Sequence, residues 1–233
     1  MPQRDPFYDI LFEPLQIGPL KAKNRFYQVP HCNGMGYLRP KTLAAMRGIK
    51  AEGGWAVVCT EEVEIHATSD NGIAAEGRLW DDSDIPALTK MTEAVHEHDA
   101  LAGIELVHGG FSNSNHYSRI PPIAPSMISV NNYDPVQARS MTKADIRDFR
   151  KWHRQAALRA KQADFDLIYV YAGHCLTLLM HFLSRRFNQR TDEYGGSMEN
   201  RVRLFREVIE DTKEAVGDKC AVAVRFAVDD SII

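Results

Sequence analysis

Two ionisable residues interrupt apolar runs of this sequence. Glu105 stands in the run GIELV, and Arg225 stands in the run AVRF. An ionised side chain inside such a run is costly unless it is paired or hydrogen-bonded. A buried structural partner for Glu105 and a salt bridge inside the core for Arg225 would meet this demand. The sequence therefore predicts a compensated charge at each position.

A second group of candidates lies where predicted strands end. Cys32 follows a strand in QVPHCNG, Tyr171 and His174 share YAGHCL, and Glu62 belongs to the acidic run EEVE. Taken alone, such a cysteine is most often a small buried side chain. The tyrosine is then ordinary packing, the histidine a surface residue and Glu62 an exposed acid. The four cysteines are widely spaced with no C-x-x-C pair, so we expect no metal site in this chain.

Five β-rich runs alternate with helical patterns. Nearly continuous apolar strands between helices are typical of a parallel sheet covered by helices, so the predicted fold class is α/β. Cap signals bound the helices: Pro86 suits a first turn, Thr142 with Asp145 suits a capping box, and Ser197 and Gly217 bound the last helix. The predicted strands cover residues 25–29, 55–60, 101–107, 166–171 and 220–226.

Two predicted loops, 109–140 and 172–196, are long for an α/β unit. Loops of this length in compact domains are usually functional. Both follow strands, and in a barrel that is the catalytic face. A closed barrel needs eight strands, so five strands predict open edges and a truncated chain. An open five-stranded sheet of flavodoxin type is the alternative.

Composition excludes several classes of partner. The 233 residues are 44% hydrophobic and 25% charged, with a net charge of −3. This charge gives no electrostatic reason to bind nucleic acid or an anionic membrane. No run approaches the roughly 18 to 20 apolar residues of a membrane span, and the polar start lacks the apolar core of a secretory signal. We expect a cytoplasmic protein with one domain over residues 1–233.

Two distant segments resemble the same family. One segment, residues 190–201, reads RTDEYGGSMENR. The other, near the amino terminus, contains LFEPL at residues 11–15, then Ile17-Gly18, then KNRF at residues 23–26. These segments are similar to those of the Old Yellow Enzyme family (NADH:flavin oxidoreductase / NADH oxidase), which are FMN-dependent (β/α)8 TIM-barrel oxidoreductases. The resemblance implies that residues 1–233 are the N-terminal portion of a single FMN-binding TIM-barrel domain, with about the first five strands present.

The resemblance also implies cofactor residues. The segment Pro30, His31 and Cys32 looks like that of the trimethylamine and dimethylamine dehydrogenase branch, in which the matching cysteine is joined to carbon 6 of the flavin. Glu105 matches the residue that hydrogen-bonds the pyrimidine edge of the flavin. Arg225 matches a residue near flavin N1 and O2, where a positive charge stabilises the anionic reduced ring. The implied cofactor is FMN, either free or covalent through Cys32.

The same branch implies a reaction. Tyr171 and His174 match its catalytic pair, whereas Leu176 stands where the ene-reductases of the family have a proton-donating tyrosine. Glu62 matches an aromatic residue of the cation-binding site, which suggests a different small-molecule substrate. The expected reaction is demethylation of an N-methylated amine or betaine by hydride transfer to flavin.

Other outcomes stay open. An NAD(P)H-dependent ene-reductase of the same family is one alternative. Another is a catalytically inactive fragment that forms homo-oligomers through its open strand edges. The branch carries an iron–sulfur cluster further along the chain, so that cofactor is expected only in a longer protein.

Overall fold

The computed structural model of the protein describes residues 5–70, 76–130 and 134–228. Within these ranges the strands are β1 (Leu15–Ile17), β2 (Leu20–Ala22), β3 (Tyr27–Gln28), β4 (Val57–Glu64), β5 (Gly77–Arg78), β6 (Leu101–Val107), β7 (Ile123–Ala124), β8 (Ile128–Ser129), β9 (Gln137–Ser140), β10 (Leu167–Ala172) and β11 (Ala221–Phe226). The α-helices are α1 (Pro40–Glu52), α2 (Ile85–His96), α3 (Lys143–Gln162), α4 (Leu178–Leu183) and α5 (Met198–Val216).

The central sheet is parallel, and its strands follow chain order. Its path is β3, β4, β6, β10 and β11, and β5 adds to the carboxyl end of β4. Sequential order is that of a (β/α)8 barrel, whereas a flavodoxin-type sheet places an early strand between later ones. The sheet is therefore part of a barrel, and the flavodoxin alternative is wrong. All five predicted strands are confirmed, but β4 runs four residues further than predicted.

Helices cover one face of this sheet. The outward side chains of the strands, such as Val58, Ile104 and Ile168, are fully buried against them. The predicted caps are confirmed: Thr142 and Asp145 form a complete capping box on α3, and Ser197 caps α5. Among the described residues, no helix combines the length and the apolar character that crossing a bilayer would require.

The hairpin of β1 and β2 covers the other end of the sheet. Ala22 packs among the first residues of the strands, including Val57, Leu167 and Ala221. The turn at Gly18 has φ of 55° and lies against the start of β11. The hairpin closes the amino end of the strands, so the carboxyl end is the one that opens to solvent.

The two long loops contain regular structure that the sequence did not predict. Strands β7, β9 and β8 form a small sheet within residues 109–140, and α4 lies within residues 172–196. These elements are two to six residues long, which is too short to produce a recognisable period. The loops are tied together, since Ser112 Oγ donates to the Cys175 carbonyl oxygen at 3.2 Å.

The segment 190–201 also holds the loops in place. Arg190 donates to the carbonyl oxygens of Pro125 (3.1 Å) and Met141 (2.5 Å). A Cβ at Gly195 would lie 2.2 Å from the Arg190 carbonyl oxygen, so this close approach requires glycine. These contacts give part of the family-like segment a structural role in fixing the loops that follow β6 and β10.

The interior of the sheet contains a tight contact between β4 and β6. Cys59 and Gly103 are paired residues on these strands, and both face the side on which the Tyr27 and Tyr169 hydroxyls hydrogen-bond each other. A Cβ at Gly103 would lie 2.6 Å from Cys59 Sγ. Glycine is therefore required there by its neighbour.

We predict that Gly103→Ala destabilises the fold, because the added methyl group overlaps Cys59 Sγ. Overpacking of this kind costs about 1–3 kcal/mol. Urea unfolding measures the loss, with Cys59→Ala as the control for the missing sulfur. The double variant should recover part of the loss in a double-mutant cycle; full stability of Gly103→Ala would contradict this contact.

Candidate active site at the carboxyl end of the sheet

The two charged residues of the apolar runs pair with each other. Arg225 Nη1 donates to both carboxylate oxygens of Glu105, at 2.7 and 2.8 Å. Glu105 is fully buried, whereas the Arg225 side chain is 33% exposed. Burial raises the pKa of Glu105 to about 7, and the charge of Arg225 opposes that rise. The predicted compensation is confirmed, and it leaves a cationic group at the open end of the sheet.

Tyr171 and His174 extend this pair into a hydrogen-bonded series. Arg225 Nη2 lies 3.5 Å from His174 Nε2, and His174 Nδ1 hydrogen-bonds the Tyr171 hydroxyl. Burial and then Arg225 lower the pKa of His174, so the imidazole is neutral. Because Nε2 faces an N–H donor, we assign the ring proton to Nδ1. Burial raises the pKa of the neighbouring Glu62 carboxyl group, and its interaction with the Tyr171 side chain opposes that rise.

The backbone after β10 brings the histidine back over the tyrosine. His174 and Cys175 have φ of 58° and 53°, in the left-handed region that residues other than glycine seldom adopt. Such backbone conformations persist only where surrounding structure imposes them, and they are common at functional sites. The turn ends with Leu176 N donating to Gly173 O at 3.2 Å. Leu176 is 46% exposed and lines the cleft described below.

A β-bulge turns Glu62 toward the same site. Cys59 pairs with Gly103 and Glu62 pairs with Glu105, so three steps along β4 match two along β6. One extra residue reverses the alternation of side chains, and Glu62 therefore points to the side of Glu105. Burial, followed by the charges of Glu76 and Glu105, raises the pKa of Glu62 to about 8.

The simple interpretation of the acidic run EEVE was wrong. Glu61 and Glu64 are buried, and Glu62 is only partly exposed. The β-bulge is the physical reason. It inserts one residue into β4, which lies between strands β3 and β6 in the sheet. Glu61 was missed by the sequence analysis as an individual residue, although its carboxylate is 0% exposed and accepts four backbone hydrogen bonds.

Cys32 lies on the loop after β3, beside Glu62. It is exposed, so its interpretation as a small buried side chain is wrong. Its Sγ and carboxylate oxygens of Glu62 and Glu76 all lie within 4.8 Å of one another. Partial burial of the sulfur is the largest influence on the thiol, and together with these charges it raises the pKa to about 12. Of the two preceding residues, Pro30 is buried and His31 is exposed.

An open cleft lies beside these groups. Its empty volume is about 640 Å³, and its lining includes Glu62, Glu76, Asn113, His116 and Leu176. The structure thus brings together all but two of the predicted site residues in one hydrogen-bonded or close group. Pro30 and His31 belong to the backbone that supports Cys32. The arrangement offers a cation, a tyrosine–histidine pair and a thiol close to Glu62, a carboxyl group that lines the cleft.

We predict that Glu62 makes stability fall with rising pH. Its pKa of about 8 exceeds the ordinary 4.5, so the folded state binds more protons between these values and loses stability as pH rises through them. Burial also lowers the pKa of His108, His153 and His181 in the folded state, so these histidines take up protons on unfolding in part of this range. The test is therefore the difference between variants. Chemical unfolding across this window should show a weaker decline for Glu62→Gln than for wild type; parallel curves would contradict the raised pKa.

We also predict that Arg225→Met costs about 3 kcal/mol, because it leaves the Glu105 carboxylate buried without its partner. Urea unfolding at neutral pH measures the loss. Glu105→Gln in the Arg225→Met background removes the uncompensated charge and should restore part of the stability. A double variant no more stable than Arg225→Met would show that the pair is not the source of the loss.

Comparison with known proteins assigns this sequence to a family. The sequence matches the NADH:flavin oxidoreductase / NADH oxidase family over residues 10–233. Dimethylamine dehydrogenase of Hyphomicrobium sp. (strain x) is 42% identical over 232 residues, covering 97% of this chain and 31% of that protein.

Two solved structures share the fold closely. Histamine dehydrogenase from Rhizobium sp. 4-9 superposes with a TM-score of 0.94 at 56% identity, covering 96% of this chain and 34% of that one. The 6-hydroxypseudooxynicotine amine oxidase from Pseudomonas geniculata N1 gives 0.97 at 52% identity, with 99% and 35% covered. This chain thus spans about a third of the length of these proteins. The resemblance carried by the two sequence segments is confirmed: the chain belongs to the NADH:flavin oxidoreductase / NADH oxidase family.

Proposed function

We propose that this chain forms the part of an FMN-dependent oxidoreductase that oxidises an amine. The observation that carries the proposal is the hydrogen-bonded series from Arg225 through His174 to Tyr171, with the Glu62 carboxyl group beside Tyr171 at its other end. One end of the series carries a fixed positive charge, which suits a flavin that becomes anionic on reduction. The other end carries a carboxyl group, which suits a substrate ammonium group.

The described residues fit the isoalloxazine ring of FMN. Arg225 is partly exposed and held by Glu105, so its charge is fixed in direction. By family resemblance, Glu105 would accept from the ring N–H, and Pro30, His31 and Cys32 would lie against another part of the ring. When bound, FMN supplies the capacity to accept a hydride from the carbon next to nitrogen. By family resemblance, its phosphate is held by loops after later strands.

Glu62, Tyr171 and His174 would manage the substrate and its proton. An ammonium group must lose a proton before the adjacent carbon can give up a hydride. Glu62 is suited to accept it, because a carboxyl pKa of about 8 is close to the working pH of a general base. Tyr171 is held by His174 and orients the nitrogen. The oxidised product, an iminium ion, reacts with water to give an aldehyde and a shortened amine.

Three relatives support an amine substrate, since each is named for the oxidation of an amine. The finer proposal is an N-methylated amine, with demethylation as the outcome. The betaine alternative fits this chemistry less well, because a quaternary nitrogen has no proton to give to Glu62 and no lone pair to assist hydride transfer. Leu176 supports oxidation of an amine over reduction of an alkene, because it offers no proton at the position where ene-reductases of the family have tyrosine.

A thioether between Cys32 and carbon 6 of the flavin is a further part of the proposal. Its formation replaces the S–H bond and the ring C–H bond with one C–S bond, releasing two protons and two electrons that pass through the flavin to dioxygen. With a pKa of about 12 the thiol is protonated at pH 7. Glu62, whose carboxyl group lies within 4.8 Å, would accept the thiol proton when it is ionised.

The proposed setting is cytoplasmic. An iron–sulfur cluster belongs to the proposal only for a longer protein, because the cysteines of this chain are dispersed. Homo-oligomers would form through the edges of β3 and β11.

The first test is an absorption spectrum of the purified chain with FMN, repeated on the acid-precipitated protein. A flavin band that stays with the precipitate supports the thioether, and Cys32→Ser should release it. A band that stays in solution after precipitation supports bound but free FMN. A colourless wild-type protein would support the inactive-fragment alternative.

The second test concerns the substrate. We predict that anaerobic addition of N-methylated amines bleaches the bound flavin, and that Glu62→Gln weakens amine binding by about tenfold or more, as expected for loss of a charged hydrogen-bond partner. Glu52→Gln, an exposed acid of α1, is the matched control. Bleaching by NAD(P)H followed by reoxidation with an enone, without any response to amines, would instead favour the ene-reductase.

A further inference from the structure

The loop after β3, which carries Cys32, is held by a buried carboxylate that the proposed chemistry does not use. Glu61 Oε2 accepts hydrogen bonds from the backbone N–H groups of Asn33 (2.6 Å) and Gly34 (2.5 Å). Glu61 Oε1 accepts from Met35 (3.0 Å) and Gly36 (2.6 Å). Four consecutive N–H groups thus converge on one anion, an arrangement that strongly fixes a backbone.

The loop sequence is suited to this wrapping. Gly34 has φ of 70°, in the left-handed region that glycine adopts without strain. A Cβ at Gly36 would lie 2.8 Å from the backbone nitrogen of Gly77 and 3.1 Å from Glu61 Oε1. The two glycines of NGMG therefore let the chain turn closely around the Glu61 carboxylate.

A buried arginine holds the same loop from its other side. Arg47 of α1 is 0% exposed, and its Nη2 donates to the His31 carbonyl oxygen at 2.6 Å. Its Nη1 donates to Gln28 at 3.3 Å. His31 N in turn donates to Thr60 O at 3.1 Å. Burial lowers the pKa of Arg47, and the charge of Glu61 opposes that effect, so the two ions stabilise each other across the loop.

Cys32 lies between these two anchors. The peptide before it is fixed through the His31 carbonyl, and the peptide after it through the Asn33 N–H. The thiol itself is exposed and close to Glu62 and Glu76. The backbone of an exposed loop residue is thus constrained by two fully buried ions, a costly device if the loop were only a connection.

We infer that Glu61 and Arg47 are positioning residues that hold the Cys32 thiol at the edge of the cleft. The inference deepens the proposed function, because the position of the thiol matters only if a flavin binds there. It can nevertheless be measured without flavin, since the thiol's environment depends on the loop alone.

The test is the rate at which a small disulfide reagent modifies Cys32 in the full chain, measured in a Cys175→Ser background and assigned by peptide mass. Loss of either anchor moves the thiol away from the Glu62 and Glu76 carboxylates and from its partly buried position, which lowers its pKa. We expect Glu61→Gln and Arg47→Met each to speed modification by about tenfold, the change that a pKa lower by one unit gives.

The two variants distinguish positioning from simple charge effects. Removing Glu61 takes away a negative charge and favours the thiolate, whereas removing Arg47 takes away a positive charge and disfavours it. Acceleration in both therefore requires movement of the loop. Opposite changes, or no change in either, would overturn the inference.

Asp84→Asn controls for general loss of stability. Asp84 is a buried carboxylate that accepts backbone N–H groups of Trp80 and Asp81. This variant should leave the Cys32 rate unchanged, and acceleration in it equal to that of Glu61→Gln would also overturn the inference. Failure of the amine assays with both anchors behaving as expected would count against the proposed function alone.

Discussion

The ion pair between Glu105 and Arg225 is the interaction on which the candidate site depends. A fully buried carboxylate needs a partner, and both of its oxygens bind one arginine nitrogen. The two residues lie on β6 and β11, on either side of β10, so the pair fixes the direction of the guanidinium across the sheet. That direction lets the same side chain reach His174 and lie 5.0 Å above the Tyr171 ring.

A single extra residue in β4 gives the site its acids. Without the bulge, the alternation that buries Val58 under the helices would turn Glu62 to that side as well. With it, Glu62 faces the cleft while Glu61 enters the buried interior and binds the loop after β3. Thr60 stabilises the bulge, because its hydroxyl accepts a hydrogen bond from the Glu105 N–H and donates one to the Glu61 carbonyl oxygen. One irregularity thus organises the substrate side and the Cys32 loop.

The features that could be predicted from the sequence are those that leave a hydrophobic period, a capping residue or a charge in an apolar run. The five strands, the capped helices and the compensation of Glu105 and Arg225 follow from apolar runs and the cost of buried charge. The roles of Glu61 and Arg47 could not be predicted, because a bulge changes which side chain faces inward and leaves no period. Exposure of Cys32 depends on the turn that Gly34 and Gly36 allow around Glu61. The sequence signal that bears on this turn is the pair of glycines in NGMG, and it does not identify Glu61 as their partner.

The most direct measurement of the central claim is a fluorescence titration of the protein with FMN, at equal folded fraction, for wild type, Arg225→Met and Arg206→Met. Arg206 is an exposed arginine of α5 and serves as the matched control. The account predicts saturable binding that is about tenfold weaker in Arg225→Met, as expected for loss of a charged partner, and unchanged in Arg206→Met. Equal affinity in all three proteins would contradict a flavin site built on the Glu105–Arg225 pair.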